Sequence, residues 1–365
     1  MTPGACRCRR RRLAPALLAA VALAGCAAVP SGAPEATATA GAAAASAPAA
    51  AAPDDATLQA FARWVAQCRE QARGAGIDEA TLSIAFDDVR YLARVVERDD
   101  NQPEFVRTVW DYLDRALSAE RLATGQQKLA QVRAEADAAA ARYGVPPQVL
   151  VAIWGLESNY GGNVGSIPSI DALATLGFQG RREAWARRQL LAALQILRSG
   201  DIDRAGMVGS WAGAMGQTQF LPTSFLAYAV DGDGDGRRDL WANWDDAIAS
   251  VANYLASHGW RAGEPVLAPA DLPDPDEARG LIAGSIVADS TVGSLRSRGL
   301  VFYTTLCGDA PALFIEVAGD HGPERLAGFH NFSVITRYNR SILYALAVDA
   351  LGAAVEARLP RASAL

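Results

Sequence analysis

Histidine and cysteine are scarce in this 365-residue chain, three and five respectively, so a structural zinc site built from them is not expected. Cationic side chains are not in excess either. Thirty-four Lys and Arg face 40 Asp and Glu, a formal net charge of −6. With no surplus of cations to neutralise phosphates, nucleic acid is not an expected partner. Beyond residue 30 no apolar run is long enough to span a bilayer. The chain does have apolar substance, half of its residues, which is enough for one large packed domain or two smaller ones.

The first 25 residues read as an address rather than as fold. A dense positive run at 7–12 precedes an apolar stretch at 13–24, too short for a membrane span and suited to a signal-peptide core. It ends Leu23-Ala24-Gly25-Cys26, which resembles the bacterial lipobox, where cleavage precedes a cysteine that is then lipidated. The alternative is an ordinary secretory signal that contains a cysteine. Ala27 rather than Asp after Cys26 implies, by resemblance, the outer membrane of a Gram-negative cell, with the protein facing the periplasm. Residues 26–54 are almost entirely Ala, Pro, Ser, Thr and Gly, which cannot offset the entropy of ordering, so they are expected to form a tether. The catalytic region is therefore placed at 55–365.

Within it, three- and four-residue spacing of Leu58, Phe61, Trp64 and Val65 predicts a helix over 55–75. Further helices are predicted at 78–86, 103–117, 119–142, 147–158, 181–199, 222–229, 244–257 and 335–350. Strand-like segments are few and late, at 299–305 and 312–317. The expected class is mainly α (α+β), with a small β element near the C-terminus. Cys68 and Cys307 are the only cysteines after Cys26. An oxidising compartment permits a bridge between them, and two buried thiols are the alternative.

Residues 144–162 carry the most informative pattern. Pro146-Pro147 opens a helix, since proline is tolerated in a first turn. Leu150, Ile153, Trp154 and Glu157 then fall at i, i+3, i+4 and i+7 on one face, before Gly161-Gly162. A carboxyl held against apolar groups is harder to ionise, and a raised pKa is what a general acid needs near neutral pH. An isolated Glu at a helix end would more often be half exposed and without chemistry. This one is not isolated. The 144–162 string resembles the catalytic helix of the membrane-bound lytic murein transglycosylase B family. Three further segments resemble that family in the same order: 209–222, 246–255 continuing to His258-Gly259-Trp260, and 331–341. The resemblance runs from about residue 57 to 352.

That resemblance implies a lysozyme-like core at about 140–260, an additional helical domain, and cleavage of the β-1,4 bond between N-acetylmuramic acid and N-acetylglucosamine in peptidoglycan glycan strands. The C6 hydroxyl of the muramyl unit closes a 1,6-anhydro ring, so a single carboxyl, Glu157, serves first as acid and then as base. A typical retaining glycosidase needs a second carboxylate. The resemblance also places Ser210 and Gln219 in the cleft, Tyr254, Tyr338, Tyr344 and Asn339 at its sugar-binding wall, and Arg181 and Arg182 near muramyl lactate or peptide carboxylates. Tyr112 is carried over on a weaker match. The alternatives are helix core for the tyrosines, backbone satisfaction for Gln219 and a solvated helix start for the arginines. A monomer is implied, and penicillin-binding proteins are expected partners.

Asp231, Asp233 and Asp235, followed by Gly236, form the front half of an EF-hand, in which Arg237 offers only its backbone carbonyl. Position 12 of this 231–246 loop is Ala242 instead of Glu. The resembled family closes its loop with a later Asp, here Asp246, next to Asp245. A structural calcium ion is the expectation and an Asp/Gly-rich turn without metal the alternative. No cofactor is needed for the chemistry. The rival functions are a hydrolytic muramidase of lysozyme type, a non-catalytic peptidoglycan-binding lipoprotein and a calcium-dependent structural protein. Glu157 within a complete motif speaks against both non-enzymes.

Overall fold

The computed structural model describes residues 52–100, 109–272, 286–319 and 322–357. The signal segment, Cys26 and nearly all of the tether lie outside the described residues. Among those described are fourteen helices and seven short strands.

The N-terminal helices are α1 (Asp55–Gly74), α2 (Glu79–Phe86), α3 (Ala93–Asp100) and α4 (Val109–Ala116). Asp54 and Asp78 cap α1 and α2, each accepting an amide N–H three residues on, which satisfies a donor the helix start leaves open. On α1 the buried stripe is Phe61, Trp64, Cys68 and Ala72, whereas Leu58, expected in it, is 42 % exposed. The single helix expected at 119–142 is two, α5 (Ala119–Gln131) and α6 (Arg133–Tyr143). Val132 breaks it, with φ −103° and ψ 23°, while its side chain is fully buried. Anchoring Val132 in the core outweighs the one helical turn it interrupts.

Next come α7 (Pro147–Ser158), α8 (Ser169–Gln179), α9 (Glu183–Ser199), α10 (Pro222–Tyr228) and α11 (Trp244–Ser257). The α8 helix escaped the sequence reading because it is buried from Ser169 through Gly177 and so has no polar face to set a period. Short antiparallel strands β1 (Ile167–Pro168) and β2 (Val208–Gly209) lie beside α8.

A five-stranded antiparallel sheet follows, in the order β4-β6-β7-β3-β5. Its strands are β3 (Leu267–Asp271), β4 (Ser290–Thr291), β5 (Val301–Phe302), β6 (Pro311–Gly319) and β7 (Gly322–Phe329). The β6 strand contains the expected 312–317 segment. The 299–305 segment shrinks to the two-residue edge strand β5. Alternation along β6 serves two cores: Leu313 and Ile315 join the main helical core, while Ala312 and Phe314 join a second core under α12 (Val292–Ser297). The described residues end in α13 (His330–Tyr338) and α14 (Ile342–Ala357), two helices where 335–350 suggested one. Among the described residues no helix is long and apolar enough to cross a membrane.

Cys68 and Cys307 are not bridged, which corrects the disulfide left open by the sequence. Cys68 is buried on α1, and burial pushes its thiol up to about 11. Cys307 lies exposed in the segment between β5 and β6.

Candidate active site

The helix that carries Glu157 is buried nearly all round, from Val149 through Gly155. It opens on Pro146 and Pro147, as the sequence indicates. It ends at Ser158, as expected, ahead of Gly161-Gly162. Asn159 ends it in the left-handed region (φ 51°), followed by Tyr160 (φ 59°) and Gly161 (φ 82°). Left-handed backbone in a non-glycine residue is strained, and here tertiary contacts hold it. The Tyr160 hydroxyl donates to Arg121 O at 3.0 Å and its ring meets Trp154 edge-on, centroids 5.8 Å apart. The ring lies so close over Gly155 that a Cβ there would sit 2.5 Å from Tyr160 Cζ. The Ser158 Oγ accepts from the Gly161 N–H at 3.0 Å. Glu157 thus sits on a turn fixed from several sides.

Its side chain is partly exposed at the surface but surrounded by protein, and that burial raises its pKa from 4.5 to about 7. The Tyr344 hydroxyl opposes the rise. That hydroxyl is buried and lies close enough to Glu157 to favour the charged carboxylate. No neighbouring carboxylate or cation among the described residues contributes to the Glu157 shift. Burial, then the Glu157 charge, hold Tyr338 and Tyr344 well above the usual phenol range.

The structure brings Tyr254, Tyr338 and Tyr344 together. Tyr338 stacks on Tyr344 at 6.4 Å and meets Tyr254 edge-on at 4.8 Å. The Tyr338 hydroxyl donates to Thr218 O at 2.6 Å and that of Tyr254 to Arg337 O at 2.8 Å. Tyr112, on α4, lies near enough to Tyr344 to raise it further. Asn339 is exposed at the end of α13, one residue after Tyr338.

The 209–222 segment forms the opposite tie. Ser210 closes a turn with Ala214, N–H to O at 2.8 Å and Ala214 N–H to its Oγ at 3.1 Å. Gln219 (φ 50°) donates its amide to Val164 O at 3.2 Å and Gly216 O at 2.9 Å, so half of its polar capacity satisfies backbone. Arg181 and Arg182 depart most from their expected setting. Both engage Asp99, which is fully buried: the Arg181 amide at 2.9 Å and Arg182 Nη2 at 3.1 Å. The guanidinium of Arg182 also covers Trp185 at 4.7 Å. Their cations therefore have an internal partner, and α9 begins after them, at Glu183.

In the acidic loop, carboxylate oxygens of Asp231, Asp233 and Asp246 converge within 4.8 Å of one another. Asp246 is fully buried, and burial pushes it up to about 6 although Gly232 and Asp239 N–H groups donate to it at 2.7 and 2.6 Å. A buried carboxylate beside two others is a donor set that fits a hard cation. Asp235 stands outside the trio and accepts the Arg237 N–H at 2.8 Å, and Arg237 itself is exposed. Asn243, which the sequence reading passed over, holds Asp233 through its Nδ2 at 2.9 Å and caps α11. Gln217 and His258 were also missed. Gln217 accepts from Trp154 Nε1 at 2.8 Å, and His258 stacks on Tyr254 at 4.1 Å. Only the fold shows these partners.

Comparison with known proteins agrees with this geometry. Residues 60–353 match the family model described as Transglycosylase SLT domain. Membrane-bound lytic murein transglycosylase B of Escherichia coli is 40% identical over 214 residues; the match spans 58% of this chain and 58% of that relative. The structure of SltB3 from Pseudomonas aeruginosa in complex with NAG-anhNAM-pentapeptide superposes with a TM-score of 0.76 at 43% identity, covering 82% of this chain and 80% of the other. Escherichia coli Slt35 in complex with calcium gives 0.71 at 32% identity, covering 80% and 93%. A family model that spans most of the described fold, together with these relatives, fixes the assignment: the chain belongs to the Transglycosylase SLT domain family.

Proposed function

We propose that this protein is a peptidoglycan lytic transglycosylase that cleaves the N-acetylmuramyl–N-acetylglucosamine β-1,4 bond and leaves 1,6-anhydromuramyl ends. The observation that carries the reading is the Glu157 carboxyl at the end of α7, surrounded by protein with Tyr344 beside it, which burial raises to about 7. A hydrolase working by nucleophile or by base-activated water needs a second carboxylate about 5 to 9.5 Å from the acid. Among the described residues no carboxylate charge contributes to the rise of Glu157, which favours the single-acid reading.

Glu157, protonated near neutral pH, donates its proton to the glycosidic oxygen as the bond to the muramyl anomeric carbon breaks. The 2-acetamido group of the substrate covers that carbon. The carboxylate then takes the C6 hydroxyl proton as the C6 oxygen bonds to the anomeric carbon, and Glu157 returns to its starting state with no water consumed. Tyr344 steadies the ionised form between the two steps. Tyr254, Tyr338 and Tyr112 offer ring faces and edges to pyranose rings, and Ser210, Gln219 and Asn339 offer polar groups at the cleft walls. Arg181 and Arg182 keep exposed guanidinium surface for carboxylates while held by Asp99. The anhydro sugar bound by SltB3 supports this reading.

Asp231, Asp233 and Asp246 hold a structural calcium ion, as the calcium complex of Slt35 suggests, with Asp235 and the Arg237 carbonyl completing the loop. Cys26 carries the lipid that anchors the monomeric enzyme to the outer membrane, facing the periplasm. The membrane-bound relative supports this placement. Digestion of purified sacculi followed by mass spectrometry tests the activity. Anhydromuropeptides are expected. Reducing ends would identify a hydrolase, and no soluble product a binder. Glu157→Gln is expected to abolish turnover while sacculus binding persists.

A further inference from the structure

Gln217 has no role in the chemistry above, yet its side chain bridges the acid helix and the segment that leaves the acidic loop. It is 5 % exposed. Its Oε1 accepts the Trp154 Nε1–H at 2.8 Å, three residues before Glu157. The same oxygen packs on Gly161, four residues after Glu157, where a Cβ would lie 2.6 Å away. One amide therefore grips both ends of the turn that carries the acid. On its other side the Gln217 N–H donates to Leu240 O at 2.6 Å and Nε2 to Trp241 O at 3.2 Å.

Leu240 and Trp241 leave the acidic loop directly. Asp239, just before them, donates its N–H to the buried Asp246 and accepts the Trp241 and Ala242 N–H groups at 2.8 and 2.9 Å. Trp241 also donates to Val208 O at 2.7 Å, in the strand leading to Ser210. A second tie runs through Lys128, whose Nζ lies 5.7 Å from the Trp154 ring and 5.6 Å from that of Trp244, the first residue of α11 beside Asp245 and Asp246. Trp154 is thus held from two sides, by Gln217 and by Lys128, and each of these also touches a residue that follows the loop. Buried hydrogen-bonded networks of this kind couple their members, because leaving one group unpaired costs its full desolvation.

We propose that Gln217 is a positioning residue that transmits cation binding at Asp231, Asp233 and Asp246 to the turn carrying Glu157. This rests on the reading of Glu157 as the acid and of the loop as a calcium site. Without the cation, three carboxylates repel, Asp246 and the Asp239 N–H shift, and the pull on Trp154 slackens. Water then reaches Glu157, and its proton is lost at lower pH.

The test is the alkaline limb of the kcat/KM profile on sacculi for wild type, Gln217→Met, Trp154→Phe and the double variant, each with saturating calcium and with EGTA. Calcium affinity is measured alongside by titration calorimetry. EGTA is expected to move the wild-type limb to lower pH by about one pH unit, a tenfold change in the protonation equilibrium. Each single variant is expected to sit there even with calcium, with no further response to EGTA and with calcium affinity retained. The double variant should match the singles, because both remove one hydrogen bond. A purely structural role would lower the rate and leave the limb in place. A limb unmoved in the folded single variants, or a wild-type limb indifferent to EGTA, overturns the link. If Gln217→Met fails to fold, Trp154→Phe decides alone. Absence of calcium binding to wild type overturns the loop reading together with the link, and turnover by Glu157→Gln overturns the acid. Both differ from failure of the link alone, in which calcium binds, Glu157 is essential and the limb stays fixed.

Discussion

Replacing Glu157 by glutamine should stabilise the fold at neutral and higher pH while removing activity. The magnitude follows from burial. A carboxyl whose pKa rises from 4.5 unfolded to about 7 folded is harder to ionise in the native state by at most about 3 kcal/mol, less whatever the partly open cleft returns through water. The sign follows from proton counting. Between 4.5 and about 7 the folded chain holds one more proton than the unfolded one, so stability falls as pH rises through this window. Below it both states are protonated and the penalty is absent. Above it the penalty is complete.

Glutamine keeps the shape of the protonated acid and never ionises, so it escapes the penalty. The gain of Glu157→Gln over wild type should therefore be near zero below pH 4.5 and grow to about 2–3 kcal/mol above pH 7. For a domain of this size that is a rise of several degrees in Tm, at about 2 °C or more per kcal/mol. Urea or thermal unfolding of both proteins across this range measures it. A difference that does not change with pH would refute the argument, because it would mean that burial does not tax the Glu157 charge. The raised carboxyl fits a trade of stability for function at the proposed active site.

Two further outcomes follow from the geometry. Gly155→Ala should destabilise by about 1–3 kcal/mol despite alanine's better helix propensity, because the new methyl meets the Tyr160 ring, itself pinned to Arg121 O. The same change should lower kcat, and an unfolding midpoint at or above wild type would contradict it. Calcium at a hundredfold excess over Kd should add about 2.7 kcal/mol to wild-type stability. Asp246→Asn should abolish that gain, since it removes the buried ligand charge, and a calcium-dependent Tm that survives in this variant would place the ion elsewhere.

The sequence by itself determined the helix that carries Glu157. Two prolines, the apolar spacing and the Glu-Ser-Asn-Tyr-Gly string are local features, and local propensity was enough to place α7 from Pro147 to Ser158 and α11 from Trp244 to Ser257. Asp231 and Asp233 of the acidic loop were legible for the same reason, because they lie close along the chain, while Asp246 was implied by the family resemblance. Tertiary structure decided the rest. It holds Asn159 and Tyr160 in the left-handed region after α7, because Tyr160 packing outweighs backbone strain. It split 119–142 at Val132, whose burial no periodicity announces, and hid α8 by burying it on every side. It left Cys68 and Cys307 unbridged, and it gave Arg181 and Arg182 a buried partner in Asp99, 82 and 83 residues away. Above all it supplied the burial that holds the Glu157 proton near neutral pH, a property of packing around the residue that its neighbours in sequence cannot encode alone.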